Sequence, residues 1–191
     1  KKMIIDDMDE ISQIKKTVKD ECVAGGLDWF WDVHLLEVEK CAKMLLEKLP
    51  KADKEIVMLG VWLHDLQRIR KINGDHCKTG AVEAQRVMQE FGYSSDKVQA
   101  VREIILAHSC EGKLTPKTLE GKILATADAM SHFAGDFYLA IAATGQRDAK
   151  SFKKWAKEKI DRDYRKKIFF PFARKMIAKR HKVLKGFLIA A

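Results

Sequence analysis

His64 and Asp65 close the run IVMLGVWLHD, residues 56 to 65, in which the eight residues before them carry no formal charge. A stretch without a polar face belongs inside a helical core, where an ionised carboxylate is strongly disfavoured unless something compensates it. A metal cation compensates both side chains at once, taking a neutral imidazole nitrogen from one and a carboxylate oxygen from the other. Standing alone, the pair would fit equally well a hydrogen-bonded core histidine beside an aspartate that faces solvent at a helix end.

The pair does not stand alone. Five of the six histidines, His34, His64, His76, His108 and His132, fall between residues 34 and 132, and Asp128 sits in a second apolar run, ILATADAM. Val98, Val101, Ile105 and His108 recur at spacings of three, four and three, which puts His108 on the inward face of a helix. His34 opens the amphipathic series Leu35, Val38, Ala42, Leu45 and Leu49, and Asp128 shares a face with Leu124 and His132, four residues to either side. One inward histidine is ordinary; five at inward or terminal positions of separate helices point to a metal centre.

His34, His64-Asp65 and Asp128, in that order, resemble the signature of the HD superfamily of metal-dependent phosphohydrolases. The likeness covers about residues 32–143 and implies an all-α helical bundle in which these four side chains ligate one divalent metal. His76, in HCKTGA, and His108, in AHSCE, occupy places that in the dinuclear branch hold a second metal. That branch contains the HD-GYP cyclic dinucleotide phosphodiesterases and the symmetrical dinucleoside tetraphosphatases, and the likeness makes Asp65 the bridge between two ions. Gln67 replaces the glycine common two residues after the aspartate, and Arg68 replaces a lysine, keeping the charge and adding a planar fork for phosphate. The glutamate of mononuclear nucleotidases is absent at that point, as are the Glu-Asp pair of guanosine tetraphosphate hydrolases and any Gly-Tyr-Pro tripeptide.

The resemblance implies hydrolysis of a phosphoester or pyrophosphate by a metal-bound hydroxide, with one or two ions of Fe, Mn, Co, Ni or Zn suited to such nitrogen and carboxylate ligands. Arg68 and Lys78 are the candidates for neutralising the phosphate. His132 either donates a proton to the leaving oxygen or supports the ligands from behind. Nucleotides or dinucleotides are the expected substrates.

These side chains need rigid supports, and the chain reads as helices almost throughout. The pattern predicts helices over 6–23, from His34 to Pro50, over 53–66, from 78 to Phe91, from the Ser94-Ser95-Asp96 cap to His108, and from Thr115-Pro116 through Asp128. His76 falls in the polar loop after RKINGD, at the expected substrate entrance. Strand-like alternation is absent. At 191 residues the chain suits one domain, 1–191, with a motif core over about 32–143 and a helical extension over about 147–189.

Charge is concentrated in that extension. Between 150 and 185 fifteen Lys or Arg face three acids, so the remainder carries 21 basic and 24 acidic residues, and the basic character belongs to the C-terminal segment. Phe152, Trp155, Ile160, Phe169, Phe170, Phe172 and Met176 suggest amphipathic helices packing an aromatic side on the bundle. The lysines are then either a solvated face or a field that draws polyphosphates or nucleic acid to the site. Alternative readings are a nucleic-acid-binding module or a regulatory scaffold on a degenerate domain; against them, the aromatics fall at core spacing and all six ligand positions are filled. No apolar run reaches the ~18 residues of a membrane span, no secretory signal opens the chain as given, and Cys22, Cys41, Cys77 and Cys110 form no Cys-x-x-Cys pair. The expectation is a cytoplasmic enzyme with free thiols and no membrane partner; the pattern gives no oligomeric state.

Overall fold

The computed structural model describes residues 9–111 and 114–189, and among them the chain is helical with no strand. Helix α1 (Glu10–Ala24) starts where the Asp9 carboxylate accepts the Ser12 N–H at 2.8 Å; the start expected at residue 6 lies outside the described residues. The short α2 (Asp28–Phe30) leads through a π-helical turn, Trp31–Leu35, into α3 (Leu36–Lys48). His34 therefore lies in a widened turn rather than at the head of a regular helix. Such turns recur at functional sites, and composition gives no warning of them.

Helix α4 (Lys54–Leu63) is capped by Asp53 and is buried at every residue from Val57 to Leu63, so the apolar run is a central helix, as its lack of a polar face requires. It ends sooner than the expected residue 66. His64 forms its C-cap, and Asp65, at φ −111° and ψ 17°, turns the chain into the single turn α5 (Leu66–Ile69). Helix α6 (His76–Glu90) begins earlier than expected, because the Asp75 carboxylate accepts the Lys78 N–H at 2.9 Å and makes His76 the first helical residue instead of a loop residue. Helix α7 (Ser95–Ala107) opens at the Ser94 cap and ends at His108.

Helix α8 (Leu119–Ser131) is opened by Thr118, whose hydroxyl accepts the Gly121 N–H at 3.1 Å. The expected Thr115-Pro116 start is displaced by this better-placed cap, and Pro116 instead packs over the first turn, where a Cβ on Gly121 would approach its ring to 3.2 Å. The extension comprises α9 (Phe137–Ala143), α10 (Ala149–Arg162), a second π-helical stretch over Asp163–Lys167, and α11 (Pro171–Ile189).

Helix α4 is the hub, touching α1, α3, α6, α7 and α8, while α6 pairs with α7 and α3 with α8. Trp62, Leu59 and Leu63 of α4 meet Leu35, Leu45, Ile105, Ile123 and Leu124 in one core. Two glycines set close approaches. A Cβ on Gly60 would lie 2.7 Å from Ile104 Cδ1, and one on Gly80 would lie 3.1 Å from the His64 carbonyl oxygen, which brings α6 against the turn that carries His64 and Asp65.

The extension is fastened to α8 through Thr126. Its buried hydroxyl donates to the Lys167 carbonyl at 3.2 Å and accepts the Phe169 N–H at 3.1 Å. Met176, expected on the packed side of α11, is exposed, since the inward stripe runs through Ala173 and Ile177. The four cysteines are buried free thiols, and no described helix is long and apolar enough to cross a membrane. Thr126→Val keeps the volume but leaves two backbone groups without their partner, so it should destabilise the fold by about 2 kcal/mol, read as a lowered Tm. An unchanged Tm would show that the extension is not held by this contact.

Candidate metal centre

Helix ends build the site. The His64 imidazole donates from Nδ1 to the Val61 carbonyl at 2.9 Å, and His108 donates from Nδ1 to the Ile105 carbonyl at 2.6 Å. Both acceptors are carbonyls of a last helical turn, and that of Ile105 also takes the His108 backbone N–H at 3.4 Å. Ser131 Oγ gives its proton to the Asp128 carbonyl and so accepts from His34 Nδ1 at 3.1 Å, while His132 Nδ1 donates to the Asp163 carboxylate at 2.8 Å. A carbonyl, a committed hydroxyl oxygen and an ionised carboxylate can only accept, so all four rings carry a proton on Nδ1 and leave Nε2 to face inward.

Three of those nitrogens, on His34, His64 and His132, converge on two carboxylates. His34 Nε2 lies 3.2 Å from Asp65 Oδ2 and 3.5 Å from Asp128 Oδ1, and His64 Nε2 lies 3.4 and 3.9 Å from the same two oxygens. His132 Nε2 is 3.3 Å from Asp128 Oδ1. On the other side of Asp65, His76 Nε2 is 3.5 Å from Oδ1 and 3.2 Å from His108 Nε2. The buried His64 Nε2 has no hydrogen-bond partner. An orphaned lone pair among neutral imidazoles and carboxylate oxygens is what a divalent transition ion requires, so the residues present fit such an ion.

Among the described residues, donors close enough to share an ion fall into three sets: His34, His64 and Asp65; His34, Asp128 and His132; and His76, Cys77 and His108. Cys77 was expected only to be a free thiol. Its Sγ lies 3.6 Å from His76 Nδ1 and 3.8 Å from His108 Nδ1, on the side of the rings away from Asp65, and His108 Nδ1 is already committed to Ile105. The thiol thus backs the two rings.

Cations hold both carboxylates ionised. Burial opposes the charge on Asp65, but the Arg68 guanidinium, whose Nε lies 3.0 Å from Oδ1, outweighs it and keeps the carboxyl well below its ordinary range. Burial opposes Asp128 likewise, and the buried Lys167 ammonium, hydrogen-bonded to Asp128 Oδ2, more than offsets it. Asp163, fully buried, pairs with Lys159 at 3.1 Å and with Arg162 at 3.4 Å. Burial pushes His34, His76 and His108 down, and burial with Lys159 pushes His132 down to about 3, so these rings stand neutral at pH 7.

His34, Asp65, Arg68, His76, His108, Asp128 and His132 line one cavity of about 280 Å³. His64 lies beneath it, fully buried. Lys78 is the exception among the expected site residues: it is exposed and does not line the cavity. Four cavity cations from the extension, Arg147, Lys159, Arg162 and Lys167, were not singled out from the sequence. The signal was present in part, since Lys159, Asp163 and Lys167 are spaced by four and share a helical face that is buried here rather than solvated.

The neutral rings make a prediction for the protein stripped of metal. Below about pH 6.5 the unfolded chain takes up protons that the folded rings refuse, so stability falls as pH falls. The depressed Asp65, Asp128 and Asp163 add a loss of the same sign below about pH 4. The Tm of chelator-treated protein should decline steadily from pH 7 to pH 4; a flat Tm over that range would contradict the arrangement.

Residues 31–132 match the HD domain family. Two 3'-5' exoribonucleases YhaM are similar over part of their length: that of Shouchella clausii (strain KSM-K16) is 25% identical over 99 residues, 44% of this chain and 31% of that protein. That of Bacillus pumilus (strain SAFR-032) is 22% identical over 93 residues, 42% of this chain and 30% of that protein. The matched stretch spans about a third of these relatives. In fold, the chain resembles a predicted HD superfamily hydrolase from an uncultured Thermotogales bacterium, with a TM-score of 0.62 at 21% identity over 98% of this chain and 94% of that one. It also resembles an HD-superfamily hydrolase from Bacillus thuringiensis, with a TM-score of 0.66 at 16% identity over 95% and 94% of the two chains. With the family match covering more than half of the 191 residues, the chain belongs to the HD domain family.

Proposed function

We propose that this chain is a metal-dependent phosphohydrolase that cleaves a phosphoester or pyrophosphate bond of a nucleotide, a dinucleotide or a nucleic-acid end. The observation that carries the reading is the convergence of Nδ1-anchored imidazoles on Asp65 and Asp128 at the bottom of a cation-lined cavity. His34, His64, Asp65 and Asp128 would hold one ion and His76, His108 and Asp65 a second, drawn from Fe, Mn, Co, Ni and Zn. Ions so held supply acidification of water and polarisation of phosphoryl oxygens.

The chain's own residues do the rest. Arg68 steadies Asp65 and lines the cavity with a guanidinium able to take phosphoryl oxygens in a bidentate contact. Of the two roles open to His132, its neutral ring suits the supporting one: Asp163 fixes the tautomer and Nε2 is held toward Asp128. Lys78 acts at most from the rim. Because Asp163 and Lys167 come from the extension, bundle and extension act as one unit. The likeness to the YhaM exoribonucleases and the cations of the cavity both favour a nucleotide or nucleic-acid substrate over a sugar phosphate.

Elemental analysis of unchelated protein should find about two transition ions per chain, and a panel of nucleotides, short RNA and sugar phosphates should release phosphate or nucleotide from the first two only. Asp65→Ala should abolish turnover, whereas His76→Ala and His108→Ala should lower metal content by about one ion. Metal content near zero that excess Mn or Fe cannot raise would refute the proposal.

A further inference from the structure

Four of the five cations that line the cavity are matched by a carboxylate. Arg68 pairs with Asp65 at 3.0 Å, Lys167 with Asp128, Lys159 with Asp163 at 3.1 Å, and Arg162 with Glu111 at 2.5 Å. Arg147 is the exception. It is exposed and makes no ion pair among the described residues, and its guanidinium lies 4.7 Å from the centre of the Trp155 ring.

Trp155 lines the same cavity and is only half-buried. Tyr138 and Phe152, at ring distances of 6.1 and 5.9 Å, brace it, so the indole keeps its place whether or not anything lies on it. Gln146, also part of the lining, has a side-chain amide with no hydrogen-bond partner among the described residues. An indole, a stacked guanidinium and an uncommitted amide offer a planar group a π-face, a positive plane and a donor–acceptor edge. A base-free polyphosphate has use for the cation alone, whereas a heterocycle attached to a phosphate uses all three.

We propose that Trp155, Arg147 and Gln146 form a nucleobase subsite at the mouth of the cavity. The base stacks on the indole in the place of the exposed Arg147 guanidinium, which swings out to lie over the base, Gln146 bonds its edge, and the attached phosphate extends inward past Arg162 and Lys159 toward Asp65 and Asp128. The proposal rests on the phosphohydrolase reading above. The base can belong to a free nucleotide or to the end of an RNA strand, since both present the same ring and phosphate.

The test uses the full chain loaded with metal and three substrates: a nucleoside triphosphate, a short single-stranded RNA and inorganic tripolyphosphate. Trp155→Ala should lower kcat/KM about tenfold or more for base-bearing substrates, through KM, while tripolyphosphate loses no more than about twofold. Trp155→Phe, which keeps both the packing and a stacking face, should restore most of the loss. Loss on the mononucleotide, the RNA or both supports the subsite and names its source. An equal loss on all three substrates, or none on any, overturns it.

Binding gives a readout independent of turnover. A nucleoside monophosphate should quench tryptophan fluorescence of the native chain, and the quench should vanish in Trp155→Phe, which retains Trp29, Trp31 and Trp62. Undiminished quenching in that variant, or no quenching of the native chain, overturns the subsite. Quenching without hydrolysis of any substrate would uphold the subsite and refute the phosphohydrolase reading.

Discussion

Asp65 and Asp128 are two ionised carboxylates in the middle of an apolar bundle, each only 4% exposed, and the structure around them keeps them charged. Removing one partner of such a group leaves a buried charge uncompensated, at about 3–5 kcal/mol. Arg68 and Lys167 supply the compensating charge, and helix ends supply the rings around it. His64 and His108 cap α4 and α7, His132 caps α8, and His76 starts α6, so four helices terminate against one point. At two of these ends the same bond serves both purposes: the ring N–H bonds a last-turn carbonyl and, by doing so, turns Nε2 inward, that of His64 toward the carboxylates and that of His108 toward His76.

The helical class and the inward placement of the histidines were legible because both follow from periodicity. An unbroken apolar run such as 56–63 has one stable home, and a histidine three residues after Ile105 on an amphipathic face must point where Ile105 points. What was hidden is where helices stop. His64 and Asp65 lie past the end of α4 rather than within it, His34 lies in a π-turn, and His76 opens a helix rather than a loop. Competing caps decide those ends: Asp75 and Thr118 win over neighbours that look equally suitable in sequence, through hydrogen bonds visible only once the backbone is placed.

The basic extension was the least legible part. A lysine-rich segment reads as a solvated face by composition, yet Lys167 and Asp163 are 2% and 0% exposed. A buried lysine is tolerable only beside a buried acid, and here each finds one: Lys167 meets Asp128, and Asp163 meets His132 and Lys159. The extension thereby supplies the layer behind Asp128 and His132, held to α8 through Thr126, as well as Arg147, Lys159 and Arg162 in the cavity wall. Long-range pairing of this kind leaves no local trace beyond the spacing of four that links Lys159, Asp163 and Lys167.

The account depends on the protonation of the four anchored rings, and nitrogen-15 NMR of the histidine side chains in metal-stripped protein at neutral pH reads that directly. His34, His64, His108 and His132 should each give the signature of a neutral ring protonated on Nδ1, leaving Nε2 free for a metal. Rings protonated on Nε2, or imidazolium ions at these positions, would mean that the lone pairs do not face the carboxylates and that the centre is not built to hold an ion.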